Sequence, residues 1–183
     1  MENSKTRENI RALVECAVLI ALAYVLNMFK LWRMPQGGSV HPASMLPLVF
    51  IGLRHGPKWG FFGCTVYGIL DFLLDGGFSL HIASIFLDYV LAYGAMGVAG
   101  FFKDKKWGIW AAMPVAVAAR FVFLFLSGVT VWSVYAPDPA FWSVVKYSAG
   151  YNGTFLAVEL GLMFALAIAL IPTFRWILPE KKA

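Results

Sequence analysis

The chain has 183 residues and a formal net charge of +5, and 60% of its residues are hydrophobic while only 14% are charged. Soluble domains carry about 25% charged and about 45–50% apolar residues, so this composition, with a mean hydropathy of +0.72, is typical of a polytopic membrane protein. It excludes a separate catalytic or nucleic-acid-binding domain, and we treat residues 1–183 as one transmembrane domain. The positive charge is better explained by cytoplasmic loops than by nucleic acid or another anionic partner.

Apolar stretches long enough to cross a bilayer recur along the chain, since a helical span needs about 20 mainly apolar residues. The first follows a charged N-terminus, but it is too long for a signal peptide and has no small-residue cleavage site, so we expect a retained helix. The predicted fold is an all-α bundle of six transmembrane helices. The predicted spans are 10–29, 40–54, 57–75, 79–102, 109–130 and 143–174.

Lysine and arginine residues concentrate on one side of these spans. The opposite connections contain only Lys30 and Arg33. By the positive-inside rule both termini are cytoplasmic, in a multi-pass protein of a prokaryotic plasma membrane. The basic residues that decide this are Lys5, Arg7, Arg11, Arg54, Lys58, Lys103, Lys105, Lys106, Arg175, Lys181 and Lys182.

The fourth span contains a carboxylate about two turns from its outer end. His81, Ser84 and Asp88 are spaced i, i+3 and i+7, which predicts one face of a helix. A carboxylate within a membrane indicates a functional site, with an internal ion pair as the alternative. Because Tyr89 and several outer aromatic residues are close in sequence, we favour a substrate site that includes Asp88, Tyr89 and His81.

Arg120 lies near the middle of the fifth span, where an arginine must pair or reach water. Asp88 and Glu159 are the two carboxylates within spans that could pair with it. A structural salt bridge is the simpler interpretation, and a ligand contact or gating role is the alternative.

The last span begins with the polar stretch "KYSAGYNGTF", which is an unusual start for a membrane helix. In a helix Tyr147 and Tyr151 are four residues apart, and Asn152 lies on a neighbouring stripe. A carboxylate near tryptophan and tyrosine rings suits an organic cation, through ion pairing and cation–π attraction. Asn152 can offer a donor and an acceptor to the edge of a heterocycle.

Known catalytic, metal-binding and phosphate-binding patterns are missing from the sequence. It has no HExxH, GxSxG or phosphate-binding Gly-Lys-Ser/Thr pattern, and we predict a binding pocket with no cofactor, metal or catalytic residue. A small membrane enzyme that uses Asp88, His81 and Arg120 is a minor alternative. Ala17 and Ala21 form a small-xxx-small pair in the first span, where another helix could pack closely. Without an ATP-binding motif, transport by this chain would need a partner or another source of energy.

Three segments, "FLDYVLAYGAMGVAGFF", "RFVFLFLSGVTVWSVYA" and "WSVVKYSAGYNG", resemble the S components of energy-coupling factor vitamin transporters, most closely the thiamine-specific S component. S components are substrate-binding membrane subunits with six spans and inward termini. The resemblance covers nearly the whole chain. It implies docking through Ala17 and Ala21 on an energy-coupling module, which consists of a transmembrane coupling subunit and two ATPases.

The resemblance also implies a set of ligand contacts. Asp88 stands where these subunits usually have glutamate, and Tyr89 matches the tyrosine that follows it. Trp132 matches the tryptophan that stacks on the thiazolium ring of thiamine. Tyr147 and Asn152 match residues of the last span that make polar contacts to the pyrimidine end.

Some positions differ from the family pattern. A histidine is usual where this chain has Leu124, a pocket tyrosine is usual near Phe78, and a first-loop tryptophan aligns near Gly38. Trp32 is close enough in the same loop to take the place of that tryptophan. These differences leave open a thiamine precursor or analogue, or another heterocyclic vitamin, as the ligand. A stand-alone secondary carrier is a further alternative.

Overall fold

Six helical segments form the bundle in the computed structural model, which describes residues 2–74, 79 and 81–170. The predicted all-α bundle is confirmed, and most helix bounds lie within a few residues of the predicted ones. The prediction that both termini are cytoplasmic stays a prediction, and Arg175, Lys181 and Lys182 lie outside the described residues. The helices are α1 (Glu2–Met28), α2 (Leu46–His55), α3 (Pro57–Leu74), α4 (Ile82–Phe102), α5 (Gly108–Thr130) and α6 (Phe141–Ala169).

Within the described part of the chain, four of these helices are long and apolar enough to cross a membrane by themselves: α1, α4, α5 and α6. Helix α2 has only 10 residues, a length of about 15 Å, against about 30 Å of hydrocarbon. Every residue from Leu46 to Leu53 is buried. The apolar run that predicts a second span is therefore the sequence of a short central helix enclosed by its neighbours.

The chain between α1 and α2 forms a small hairpin, and its last residue, Val40, is where the sequence predicts the start of the second span. Its strands, β1 (Trp32–Arg33) and β2 (Ser39–Val40), pair antiparallel. The Met34 amide donates to the Gly38 carbonyl at 2.7 Å, and the Leu31 amide donates to the Val40 carbonyl at 2.9 Å. We call residues 31–40 the first-loop hairpin. Its internal hydrogen bonds close it into one unit.

Helix α4 is irregular where the sequence predicts a regular helix. A π-helical segment, Ile85–Leu91, contains Asp88 and Tyr89. Such segments are rare and frequent at functional sites. The predicted shared face of His81, Ser84 and Asp88 is wrong, because His81 precedes the helix with an extended backbone, at φ −154° and ψ 149°. Ser84 is buried and Asp88 half-buried, while His81 is exposed and its ring accepts a hydrogen bond from the Ala83 amide at the helix start.

Glycines of α4 allow its backbone to approach α3 closely. A Cβ atom built on Gly97 would lie 2.4 Å from the Phe61 nitrogen, and one on Gly100 would lie 2.4 Å from Pro57. One on Gly94 would lie 2.7 Å from the Thr65 hydroxyl oxygen. The glycines of "GAMGVAG" therefore serve close packing of α4 against α3.

We expect Gly97→Ala to destabilise the bundle, because the obstructing atoms belong to the backbone of α3 and cannot rotate away. Overpacking of this kind costs about 1–3 kcal/mol. The midpoint of thermal unfolding in detergent measures the effect. Gly161→Ala is the matched control, since a Cβ at Gly161 has no atom within 4 Å. Equal midpoints for the two variants would contradict the close approach of α3 and α4.

Candidate functional site

A single cavity brings together most of the predicted ligand contacts. Its free space is about 930 Å³, counting the open mouth. The first-loop hairpin, α4, α5, α6 and the short 3₁₀ turn after α5 (Trp132–Tyr135) contribute to its walls. Five predicted contacts line it: Asp88, Tyr89, Trp132, Tyr147 and Asn152.

The other two predicted contacts, Trp32 and His81, do not line the cavity. Trp32 lies in β1 with 48% of its surface exposed, because the hairpin turns its other residues towards the cavity. His81 is exposed at the start of α4, where it caps the helix. Neither residue is part of the site that we propose below. Phe78 lies outside the described residues.

Asp88 and Trp132 form a hydrogen-bonded pair in the cavity wall. The Trp132 indole Nε1–H donates to Asp88 Oδ2 at 2.8 Å, and the Trp132 ring stacks on Tyr135 with centroids 5.9 Å apart. A carboxylate and aromatic rings therefore face the same small space. This combination attracts an organic cation by charge and through the ring faces.

Helix α6 supplies the aromatic wall of the cavity. Tyr147 and Tyr151 are stacked with centroids 5.8 Å apart, and Phe155 meets Tyr151 edge-on at 6.1 Å. The Tyr147 hydroxyl donates to Gln36 Oε1 of the hairpin at 3.4 Å. Three aromatic side chains spaced by four residues thus extend down one ridge of the helix.

The side-chain amide group of Asn152 donates its hydrogen bonds within the protein. Its Nδ2 donates to the Ser148 carbonyl at 3.0 Å and to the Leu124 carbonyl at 3.3 Å. Since carbonyl oxygens only accept, the orientation of the amide is fixed. Asn152 can therefore present its carbonyl oxygen to a ligand as an acceptor, rather than the donor and acceptor that the sequence predicts.

A buried ionic cluster lies at the inner end of the cavity. Arg120 Nη1 is 3.8 Å from Glu159 Oε2, and the guanidinium lies over the Tyr93 ring at 4.0 Å from its centroid. Glu159 Oε1 also accepts from the His41 amide and contacts His41 Nδ1, each at 3.0 Å. Of the two partners predicted for Arg120, the structure places Glu159 in contact, and the ion pair also anchors the base of the first-loop hairpin.

A second carboxylate reaches the cavity from α3. Asp71 is 6% exposed, and its Oδ1 accepts from Asn27 Nδ2 of α1 at 2.8 Å. Asp71 and Asn27 were missed by the sequence interpretation, as were Gln36, Tyr135 and Tyr151 as cavity residues. The four-residue spacing of Tyr147 and Tyr151 could have indicated the last of these. Asp71 and Asn27 lie inside predicted spans, so the cost of a polar group in the membrane, which indicated Asp88, could have indicated them too.

Ala17 and Ala21 lie on the outward side of α1. Both are exposed, while Cys16, Ile20 and Ala23 turn inward and are buried. The small-residue pair therefore takes no part in packing the described core. It is available to a helix of another protein or to lipid.

The fold and the cavity together define a multi-pass α-helical membrane protein with a ligand-sized site. A family model described as "Thiamine transporter protein" matches residues 13–178, and the chain belongs to that family. Membership of a transporter family makes the chain a transporter of the cell membrane rather than an enzyme.

Two individual proteins are similar to the chain. The thiamine transporter ThiT of Bacillus subtilis (strain 168) is 28% identical over 181 residues, which cover 87% of this chain and 93% of that protein. A solved structure of ThiT from Listeria monocytogenes superposes with a TM-score of 0.78 at 23% identity, covering 91% of this chain and 96% of that one. The second comparison supports the fold.

Proposed function

We propose that the chain is the thiamine-binding S component of an energy-coupling factor importer. It captures the vitamin with high affinity outside the cell and releases it with the help of ATPase partner subunits. The observation that supports this most is the Asp88–Trp132 pair in an aromatic cavity, within a chain of the thiamine transporter family.

The chemistry of thiamine matches the groups around this cavity. Thiamine joins a cationic thiazolium ring to an aminopyrimidine ring. Asp88 offsets the positive charge, and Trp132 offers a ring face worth about 0.5–2 kcal/mol in a cation–π contact. The Asn152 carbonyl accepts from the amino group, and the hydroxyl groups of Tyr89 and Tyr147 fix the remaining edges.

Energy for transport comes from partner subunits in this proposal. The exposed pair Ala17 and Ala21 would contact the transmembrane coupling subunit, which carries the two ATPases. We expect proteoliposomes with this chain alone to show no accumulation of thiamine. Accumulation without ATPases would instead support a stand-alone secondary carrier.

The binding proposal predicts saturable quenching of tryptophan fluorescence when thiamine is titrated into the purified protein at micromolar concentrations. Stacking of the thiazolium on an indole is the physical cause. Trp132→Phe should remove most of the quenching, whereas Trp142→Phe should retain it, because Trp142 is 70% exposed and does not line the cavity. If neither quenching nor heat of binding saturates, the thiamine proposal is wrong.

A related ligand is the second candidate, and one observation favours it. Leu124 is buried and lines the cavity at the position where the resemblance implies a polar histidine. An apolar side chain there suits a ligand with a less polar edge, such as a thiamine precursor or analogue, or a different heterocyclic vitamin. Competition against bound thiamine by pyrimidine, thiazole and pyridine vitamins separates these candidates.

A further inference from the structure

The hydroxyl group of Tyr151 connects α6 to the first-loop hairpin through two backbone hydrogen bonds. It donates to the Pro35 carbonyl and accepts from the Gly38 amide at 2.8 Å. Both partners belong to the turn of the hairpin. Tyr151 therefore contacts the two ends of this turn with one atom.

The hairpin that Tyr151 contacts is part of the cavity wall. Gln36, Gly37 and Gly38 all line the cavity, and Gln36 and Gly37 are also exposed on their other side. The turn thus separates the cavity from the surroundings. Gln36 and Gly37 have φ values of 59° and 94°, and this left-handed turn is closed by the hydrogen bond from the Met34 amide to the Gly38 carbonyl.

Helix α6 contacts this unit at two levels. Glu159 binds the His41 amide and ring at the base of the hairpin, and Tyr151 binds its turn. The two contacts are eight residues apart, or about 12 Å along the helix. Tyr147 contacts the turn only through the Gln36 side chain at 3.4 Å, so the backbone of the turn is positioned by Tyr151.

We propose that Tyr151 is a positioning residue whose hydroxyl holds the hairpin turn against α6 and thereby limits the rate at which the ligand leaves the cavity. This inference rests on the proposed function for the identity of the ligand. Departure past the turn requires the two Tyr151 hydrogen bonds to break. Changes within one binding site usually act mainly on the dissociation rate.

Tyr151→Phe tests the proposal, because it removes the hydroxyl and keeps the ring between Tyr147 and Phe155. We expect the dissociation rate of radiolabelled thiamine, chased with unlabelled thiamine, to rise about tenfold. Hydrogen exchange of a peptide covering residues 34–40 should become faster in the ligand-free protein. An effect on stability alone would lower the unfolding midpoint and leave both rates unchanged.

Gly38→Ala disturbs the same contact between Tyr151 and the turn, through a change in the hairpin. Its Cβ would lie 2.6 Å from the Tyr151 hydroxyl oxygen, while Gly38 has an ordinary φ of −63° that alanine tolerates. We expect faster dissociation in the parent protein and a smaller additional effect in the Tyr151→Phe background. Removing the hydroxyl relieves the closest contact, while the ring carbons Cζ and Cε1, at 3.0 and 3.2 Å from the Cβ, remain. Gly161→Ala, with open space at its Cβ, is the control on the same helix.

The outcomes separate this inference from the proposed function. Unchanged dissociation in Tyr151→Phe, or equal effects of Gly38→Ala in both backgrounds, would overturn it. If the parent protein binds no thiamine, the proposed function fails, and the exchange measurement alone decides whether Tyr151 holds the turn. Unchanged exchange of residues 34–40 would then overturn the inference.

Discussion

Asp88→Asn is expected to weaken thiamine binding at least tenfold, which corresponds to about 1.4 kcal/mol. Asparagine has nearly the same shape and keeps an oxygen that can accept the hydrogen bond from Trp132 Nε1, which is 2.8 Å from Asp88 Oδ2. The substitution therefore removes the charge and preserves the hydrogen bond. Calorimetric titration of the variant with thiamine measures the loss.

Two controls isolate the charge of Asp88. Asp138→Asn makes the same chemical change on an exposed loop residue, whose carboxylate accepts from the Ala140 amide, and it should leave the affinity unchanged. A neutral isostere of thiamine, with an uncharged ring in place of the thiazolium, should bind the Asp88→Asn variant and the parent protein almost equally. An unchanged dissociation constant for thiamine would show that Asp88 has a structural role.

The membrane helices could be predicted because the bilayer leaves few alternatives. A helix satisfies every backbone hydrogen bond internally, so long apolar runs become helices whatever their neighbours. The same argument fails at residues 40–54, where an apolar run forms part of a hairpin and then a helix of 10 residues. Hydropathy cannot tell a short, fully enclosed helix from a span.

The site could be predicted only in part, because its residues come together through tertiary packing. Asp88 and Asn152 were found from the cost of placing polar groups in a membrane. That cost could not say which carboxylate lies beside Arg120. A regular helical period placed His81 with Asp88, whereas His81 precedes the helix as its extended N-cap residue. Asp71 and its partner Asn27 are 44 positions apart, so no local spacing relates them.

Helix α6 explains why one polar stretch at the start of a span carries so much of the site. Tyr147, Tyr151, Phe155 and Glu159 recur every four residues, and residues at this spacing share a face. Tyr147, Tyr151 and Phe155 form the aromatic wall of the cavity. Glu159 contacts Arg120 and the base of the hairpin. The same ridge therefore shapes the cavity and holds the hairpin that borders it.

Ala17→Trp or Ala21→Trp, on the exposed face of α1, is expected to abolish transport, which is the second large effect that we expect. An indole at either position would replace a single methyl group on this surface and would prevent another helix from packing closely. The core should be undisturbed, because Cys16, Ile20 and Ala23 are the residues of this region that face inward. We therefore expect uptake of thiamine by cells with the complete coupling module to fall to background.

Thiamine binding by the same variants shows whether the loss of uptake comes from docking or from a disturbed fold. Purified Ala17→Trp and Ala21→Trp proteins should retain the parent affinity for thiamine, because neither residue lines the cavity. Val122→Trp is the matched control: Val122 is 51% exposed on α5, so an indole there tests whether any large outward side chain blocks transport. Normal uptake by both α1 variants would place the docking surface elsewhere. Loss of uptake together with loss of binding would show instead that the substitutions disturb the fold.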